Sequence, residues 1–349
     1  MFLNRHAKLY QALNQAGLDA LILNPGPSLV YLTGLHFHLS ERPVIAIFIP
    51  NAPVVLALPE LEAGKTEGLP FKTQVFPYSE DPAGWPAVIG QAMQAAGLLD
   101  SNVGIEPRRL RVMELRLLEG AAPHARFIPA EDSLAALRMS KDESEIYNMQ
   151  RAIDVAQQAL LATLPQIRIG MTERELASEL TLQLLRSGSE PEFPFSPIVS
   201  GGPNGANPHA TPSDRPLAQG DLLVIDWGAG VDGYFSDLTR TFAIGEVEPE
   251  FKRIAQVVLE ANAAGRAATR PGIPAGDIDR AARQVIEQAG YGAAFFHRTG
   301  HGLGMEGHEE PYMFAGNPLI LTPGMTFTVA LGQRPVGGRR MRVGSVWTA

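Results

Sequence analysis

The chain has 349 residues, 45% of them hydrophobic and 19% charged, which predicts two domains or one large one with a packed core and excludes a disordered or fibrous protein. Its net charge of −8 excludes the basic surface that nucleic acids or anionic membranes require, so we expect neither as a partner. The absence of cysteine excludes disulfide bonds, thiolate catalysis and cysteine-based zinc sites.

The N-terminal segment has the pattern of a helix and not of an export signal. Residues 1–16 form an amphipathic pattern that Gly17 closes, and they lack the apolar core of a signal peptide. The most apolar stretch, residues 43–59, is broken by Pro50 and Pro53, so it predicts two short strands around a turn instead of a membrane span. These features together predict a cytoplasmic protein.

Helix and strand patterns alternate over the first part of the chain, which predicts an α/β domain at residues 1–132. A long helix follows Asp142, a capping residue with Glu145 three positions later, and this helix opens a second domain at residues 133–349. The second domain then continues with short strands and turns. Further helices are predicted at residues 172–188, 249–269 and 275–290.

The segment GDLLVIDWGAGVDGYFSDLTRTFAIG, residues 220–245, predicts a β-hairpin with two aspartates. One strand enters Asp226, a turn rich in Gly and Asp follows, and the second strand carries Asp237. In a regular hairpin centred between them, the two aspartates are cross-strand neighbours about 5 Å apart. Opposed carboxylates need a cation, and a divalent metal suits carboxylate oxygens. The alternative is a pair of exposed aspartates that are each solvated separately.

Histidines supply the second indication of a site. His297, His301 and His308 fall within HRTGHGLGMEGHEEP, where glycines allow the backbone to approach a ligand. His209 lies in a turn-rich segment shortly before the Asp226 strand. A single histidine is usually structural, but this clustering downstream of the aspartate hairpin favours a functional site.

The ordered motifs resemble the pita-bread metallopeptidases, the family of aminopeptidase P, prolidase, methionine aminopeptidase and creatinase. The matching segments, in family order, are AGLDALILNPGPSLVYLTGL, LRMSKDESEIYNMQRAI, GMTERELASEL, PHATPSDRPLAQGDLLVIDWGA, SDLTRTF, GHGLGMEGHEEP and PGMTFTVALG. The Xaa-Pro branch is the nearest. The resemblance implies an α/β (α+β) protein with a creatinase-type N-terminal α/β domain and a C-terminal pita-bread domain, and it implies a homodimer.

The resemblance also assigns roles to individual residues. The metal-ligand positions of active members fall on Asp226, Asp237 and His301, among others. The histidines that contact substrate or support catalysis in the family fall on His209, His297 and His308.

The chain departs from the family at the two remaining metal ligands, both glutamates. By the motifs, these positions fall on Ala330 in GMTFTVALG and on Arg342 in RRMRV. We expect Ala330 and Arg342 to form a second hairpin pair centred near residue 336. The Arg342 guanidinium could then pair with Asp226 or Asp237 and replace a cation.

Other residues complete the expected site. Arg340, which matches a family arginine, and Arg42 of the N-terminal domain are expected to bind substrate. The alternative to a lost ligand is a substitute carboxylate from nearby in the sequence: Glu306, Glu309 or Glu310. With three of five ligands present, we expect one divalent metal, Mn or Zn, or none, and no intact dinuclear centre.

Three functions stay open from the sequence. The first is an Xaa-Pro peptidase of the aminopeptidase P or prolidase type, hydrolysing small peptides with weak or altered activity. The second is a metal-independent C–N hydrolase of the creatinase type, with His209 as the proton carrier. The third is a pseudoenzyme that binds proline-containing peptides without cleaving them.

Overall fold

The chain divides into two compact units. A computed structural model describes the backbone of residues 1–333 and 341–348 and the side chains of residues 1–331. The compact units are Met1–Arg138 and Met139–Ala349. The boundary expected between residues 132 and 133 falls inside the helix Glu131–Arg138, which packs against the first helix of the chain and therefore belongs to the first unit.

The first unit is a mixed α/β domain, and all of its residues are described. Its elements in chain order are α1 (Phe2–Ala16), β1 (Ala20–Leu23), α2 (Pro27–Thr33), β2 (Ile45–Phe48), β3 (Val54–Pro59), β4 (Thr73–Tyr78), α3 (Trp85–Ala95), β5 (Asn102–Ile105), α4 (Val112–Ala121), β6 (Arg126–Pro129) and α5 (Glu131–Arg138). The strands form one sheet in the order β4-β3-β2-β1-β5-β6. Every residue of β1, β2 and β3 is buried, because their apolar runs are covered on both faces.

The helix end predicted at Gly17 is confirmed. Gly17 has a φ of 68°, the left-handed conformation that glycine adopts without steric strain, and its amide donates to carbonyls of the last helical turn. The two strands predicted within residues 43–59 are also confirmed as β2 and β3, paired antiparallel. Among the described residues, none of the helices has the length and apolar content needed to cross a bilayer.

The second unit is built on an antiparallel sheet. Its described elements are α6 (Glu143–Thr163), α7 (Glu173–Arg186), β7 (Ile198–Gly201), β8 (Leu222–Trp227), β9 (Gly230–Val231), β10 (Tyr234–Phe235), β11 (Leu238–Ala243), α8 (Pro249–Ala268), α9 (Gly276–Gln288), β12 (Gly300–Gly302), β13 (Glu309–Met313), β14 (Thr326–Gln333) and β15 (Met341–Thr348). Among these, the strand order in the main sheet is β13-β12-β14-β15-β11-β8-β7. The helix starts predicted at Asp142 and Thr172 are confirmed, each as a capping box with a glutamate three residues later.

One face of this sheet is covered by helices. Ile225 of β8 packs with residues of α6 and α7, and Leu331 of β14 packs with residues of α8 and α9. Side chains alternate along a strand. Asp226, which follows Ile225, and Ala330, which precedes Leu331, therefore point to the opposite face. We call that opposite face, which also carries Thr239 of β11, the site face.

The second unit contains an internal repeat. Matching backbone hydrogen bonds occur in its two halves: Gly170 N to Leu217 O and Leu217 N to Met171 O in the first, and Gly272 N to Leu321 O and Leu321 N to Ile273 O in the second. Asp226 follows Leu217 by the same number of residues as Ala330 follows Leu321. The repeat therefore makes Asp226 and Ala330 equivalent positions, one acidic and one without a polar side chain.

A buried ion pair joins the start of α6 to β13. Lys141 Nζ lies 2.5 Å from Glu309 Oε1, and the two side chains are only 1% and 7% exposed. Lys141 Nζ also donates to the Met139 carbonyl at 3.2 Å. Removing one partner of such a pair leaves the other charge buried without compensation, which is far more destabilising than losing both.

We expect Lys141→Met to lower the free energy of unfolding by about 3 kcal/mol, because it leaves the Glu309 carboxylate buried without its cation. The double variant Lys141→Met/Glu309→Leu should recover most of that loss. Urea denaturation followed by circular dichroism measures both. Arg174→Ala, which removes an exposed pair with Asp214 in the same unit, is the control and should leave stability unchanged. A double variant as unstable as the single one would contradict the expectation.

Candidate functional site

The expected pairing of Asp226 with Asp237 is wrong, because the partner of Asp226 lies two residues further along the second strand. Asp226 lies directly opposite Thr239, whereas Asp237 immediately precedes β11. The reason is a tight turn at Asp232 and Gly233, both with positive φ, which centres the hairpin one residue later than assumed. The Asp-Gly dipeptide is the strongest short-range signal for this turn, so the register was available in the sequence.

Asp226 and Asp237 nevertheless share the site face. Asp237 stands two residues before Thr239, so it is a diagonal neighbour of Asp226 on the same side of the hairpin, at a typical separation of about 7–8 Å. Both side chains are buried, at 3% and 5% exposure. The alternative of two exposed, separately solvated aspartates is therefore wrong, since burial withholds the water that would solvate each charge.

Thr239 orients the Asp226 carboxylate. Its Oγ1 donates a hydrogen bond of 2.6 Å to Asp226 Oδ1, and Thr239 is fully buried. Sequence analysis missed this residue because its role depends on the hairpin register. Asp226 also lines a small cavity together with Ser200 and Pro208, and the Ser200 hydroxyl has no hydrogen-bond partner among the residues that the structure describes.

The structure brings Asp237 and His301 close together. His301 Nε2 lies 3.4 Å from Asp237 Oδ2, and the side chains of His301 and Asp237 are 7% and 6% exposed. His301 Nδ1 donates to the carbonyl of Gly302 at 3.0 Å, which directs Nε2 toward the carboxylate. Two ligands bound to one ion at about 2.1 Å in near-tetrahedral geometry would be about 3.4 Å apart. The pair therefore has the spacing of two ligands of one divalent ion.

The structure places the other predicted histidines differently. The His308 ring stands edge-on to the His301 ring with 3.8 Å between centroids, so these two are brought together. The His297 ring packs edge-on against Phe295, and its Nδ1 donates to the carbonyl of Arg298. His209 is exposed in the turn after the short helix Gly202–Ala206.

The expected pairing of Ala330 with Arg342 is also wrong. The residue opposite Ala330 is Gly344, and Arg342 lies opposite Gly332. Gly344 in turn lies opposite Thr239, so one row crosses the sheet from Asp226 through Thr239 and Gly344 to Ala330. The centre of this hairpin lies one residue later than the expected residue 336. The partner of Ala330 therefore moves by two positions, from Arg342 to Gly344, and it stays on the same face because side chains alternate with a period of two.

This row limits the number of carboxylates on the site face. Asp237 and His301 have a spacing suited to two ligands of one divalent ion, and Asp226 lies on the same face. Ala330 and Gly344 offer no donor atom where a second ion would need carboxylates. Among the described residues, no three acidic or histidine side chains already converge on one point, which agrees with the diagonal position of Asp226.

Of the remaining candidate site residues, some lie among the residues that the structure describes and others do not. Glu309 is engaged by Lys141 and does not supply a substitute carboxylate. Arg42 donates to Glu80 within the first unit, through Nε at 3.0 Å and Nη2 at 2.8 Å. Arg340 and the side chain of Arg342 lie outside the described residues, so their expected roles stay predictions.

Comparison with known families gives two matches that together span most of the chain. Residues 147–345 match metallopeptidase family M24, and residues 5–140 match the creatinase/prolidase N-terminal domain. These matches confirm the predicted fold class of a creatinase-type domain followed by a pita-bread domain.

Individual relatives agree with this assignment. The Xaa-Pro dipeptidase of Lactobacillus helveticus is 33% identical over 93% of this chain and 88% of its own length. The crystal structure of a dipeptidase from Pyrococcus horikoshii OT3 has a TM-score of 0.92 and 35% identity, covering 98% of this chain and 94% of its own. That of the prolidase from Thermococcus sibiricus has a TM-score of 0.93 and 30% identity, covering 99% and 94%.

We expect His301→Ala to weaken Mn²⁺ binding by more than about 10-fold, because it removes the nitrogen that faces Asp237. Isothermal titration calorimetry on protein freed of metal measures the affinity. His297→Ala is the matched control, because the His297 ring packs against Phe295 and its Nδ1 bonds the Arg298 carbonyl. Equal losses in the two variants would contradict the assignment of His301 as the ligand.

Proposed function

Because the chain belongs to metallopeptidase family M24, we propose that it is a dipeptidase of the Xaa-Pro type that works with one divalent ion, Mn or Zn, and therefore turns over slowly. The observation that carries the proposal is the pair of His301 Nε2 and Asp237 Oδ2, 3.4 Å apart and buried on the same face as Asp226. The relatives named Xaa-Pro dipeptidase and prolidase support the substrate class.

In the proposed site, Asp226, Asp237 and His301 hold the ion. A divalent ion bound there polarises the scissile carbonyl and lowers the pKa of a bound water. The Gly302 carbonyl keeps the His301 proton on Nδ1, which leaves Nε2 available as a ligand. The Thr239 hydroxyl keeps the Asp226 carboxylate in one orientation.

His308 is the side chain best placed to meet a peptide at this site. It is exposed, and its ring lies against His301. An imidazole N–H in that position can donate to a carbonyl of a peptide that binds beside His301. We further propose a small peptide as the substrate, a homodimer and a cytoplasmic location, which rest on the sequence and on the family resemblance.

The slow turnover follows from the missing carboxylates. Four carboxylates would balance two divalent ions, whereas Asp226 and Asp237 alone balance one. Ala330 occupies the position that the repeat makes equivalent to Asp226, and Gly344, which faces Ala330 across the row, has no side chain to offer. We therefore propose that the first half of the repeat keeps its ligands and that the second half has lost them.

A metal-independent C–N hydrolase is the second candidate. Pro208, the neighbour of His209, lines the cavity that contains Asp226. This places the loop that carries His209 next to the acidic side of the site, where its imidazole could move a proton. A third candidate, a peptide-binding protein without turnover, has no separate observation in its favour.

We expect slow, Mn²⁺-dependent release of proline from Xaa-Pro dipeptides, abolished by EDTA and by Asp237→Asn, because the ion is held largely by that carboxylate. A chromatographic assay for free proline measures it. Hydrolysis of a small C–N substrate that survives EDTA and is lost in His209→Ala would favour the second candidate. Binding of the dipeptides with no turnover in either condition would contradict both enzymatic proposals.

We also expect the double variant Ala330→Glu/Gly344→Glu to raise the metal content from one ion per chain to two and kcat by roughly 10- to 100-fold, because it restores two facing carboxylates. Elemental mass spectrometry after incubation with Mn²⁺ and desalting gives the stoichiometry. Ala330→Gln/Gly344→Gln is the matched control, with the same volume and no charge. A wild-type protein that already holds two ions would overturn the one-ion proposal.

A further inference from the structure

Two residues of α9, Asp279 and Arg283, bond to the segment that leads into the His301 strand. Asp279 is fully buried, and its Oδ1 accepts hydrogen bonds from the Thr299 amide at 3.1 Å and from Thr299 Oγ1 at 2.8 Å. Arg283 donates to the same carboxylate through Nε at 2.8 Å and Nη2 at 3.1 Å. Asp279 therefore links α9 to the residue two positions before His301.

Arg283 extends this link to the main chain before Thr299. Its Nη1 donates to the carbonyl of Phe295 at 2.8 Å, and its Nη2 donates to that of His297 at 3.0 Å. The guanidinium carbon also lies 4.4 Å from the centroid of the Phe295 ring. The rigid, planar donor set of arginine makes these contacts simultaneously with the bond to Asp279, which lysine could not do.

His301 needs this support because its direction departs from regular strand geometry. The Thr299 hydroxyl faces α9, and in a regular strand the side chain two residues later would point the same way. The pairing of β12 with β13 instead shifts register between Gly300 and Gly302, which frees His301 to turn toward Asp237.

The surroundings of β12 leave little room for a different path. A Cβ atom on Gly300 would lie 1.8 Å from the Thr328 carbonyl oxygen, and one on Gly302 would lie 2.2 Å from that of Glu310. At the irregularity itself, the His301 amide donates to Thr328 Oγ1 at 3.2 Å. The strand is thus fixed at Thr299 before His301 and by β14 at His301 itself.

We propose that Asp279 and Arg283 are positioning residues for His301, acting through the Thr299 hydroxyl and amide to set the point at which the strand becomes irregular. This proposal rests on the proposed function in taking His301 as a ligand of the ion. Asp279 and Arg283 contact the segment before His301, at Thr299 and at the carbonyls of Phe295 and His297, so they act by holding Nε2 of His301 opposite Asp237.

Thr299→Val is the decisive variant, because it removes only the hydroxyl and keeps the volume, the Asp279–Arg283 pair and the backbone. We expect it to weaken Mn²⁺ binding by about 10- to 100-fold, the range for groups that orient metal ligands, and Thr299→Ser to restore the affinity. In metal-free protein, nitrogen NMR of the His301 ring, assigned with His301→Gln, should show that Thr299→Val weakens the hydrogen bond from Nδ1–H to the Gly302 carbonyl. Arg283→Lys should behave in the same way.

Arg280→Ala is the matched control on the same helix. Arg280 pairs with Asp277 on the exposed side of α9, at 71% and 32% side-chain exposure, so its loss should change neither readout. If Thr299→Val and Arg283→Lys are folded, bind Mn²⁺ within twofold of the parent and keep the His301 signal, the positioning role is overturned. The NMR readout uses no substrate, so it tests this role even if Xaa-Pro hydrolysis is absent.

Discussion

The register of the β8–β11 hairpin is the constraint on which the site depends. The turn at Asp232 and Gly233 sets Asp226 opposite Thr239, and the neighbouring strands continue that row to Gly344 and Ala330. A shift of one residue in one strand would send its side chains to the helix-covered face, where a carboxylate would be buried without a partner. The same turn leaves Asp237 beside the row, within reach of His301.

The internal repeat relates Asp226, which carries a carboxylate, to Ala330, which carries none. Equivalent backbone hydrogen bonds occur in both halves of the second unit, so Asp226 and Ala330 occupy equivalent positions in their strands. Both of these positions lie on the site face. The residue at the Ala330 position can differ without disturbing the helix packing, because the contact with α8 and α9 uses the opposite face, through Leu331.

Two ion pairs with buried carboxylates lie at the segments that carry His301 and His308. Lys141 and Glu309 are paired next to His308, while Asp279 and Arg283 hold the residues before His301. Such pairs add little net stability compared with apolar packing, but they define one arrangement because breaking them is unfavourable. Glu309 directly follows His308, and Asp279 bonds Thr299 two residues before His301, so each pair fixes the backbone beside one histidine.

The sequence by itself determined the family, the order of the elements and the helix ends at Gly17, Asp142 and Thr172, because these follow from local patterns and ordered motifs. It also named Asp226, Asp237 and His301 as candidate site residues, and that assignment stays a prediction. It misjudged both hairpin pairings, and it did not find Thr239 or Asp279. Those features depend on contacts between residues far apart in the chain, which turn geometry and strand packing select. Only the tertiary structure could decide that Gly344 faces Ala330, that Glu309 is engaged by Lys141, and that the His301 imidazole turns toward Asp237.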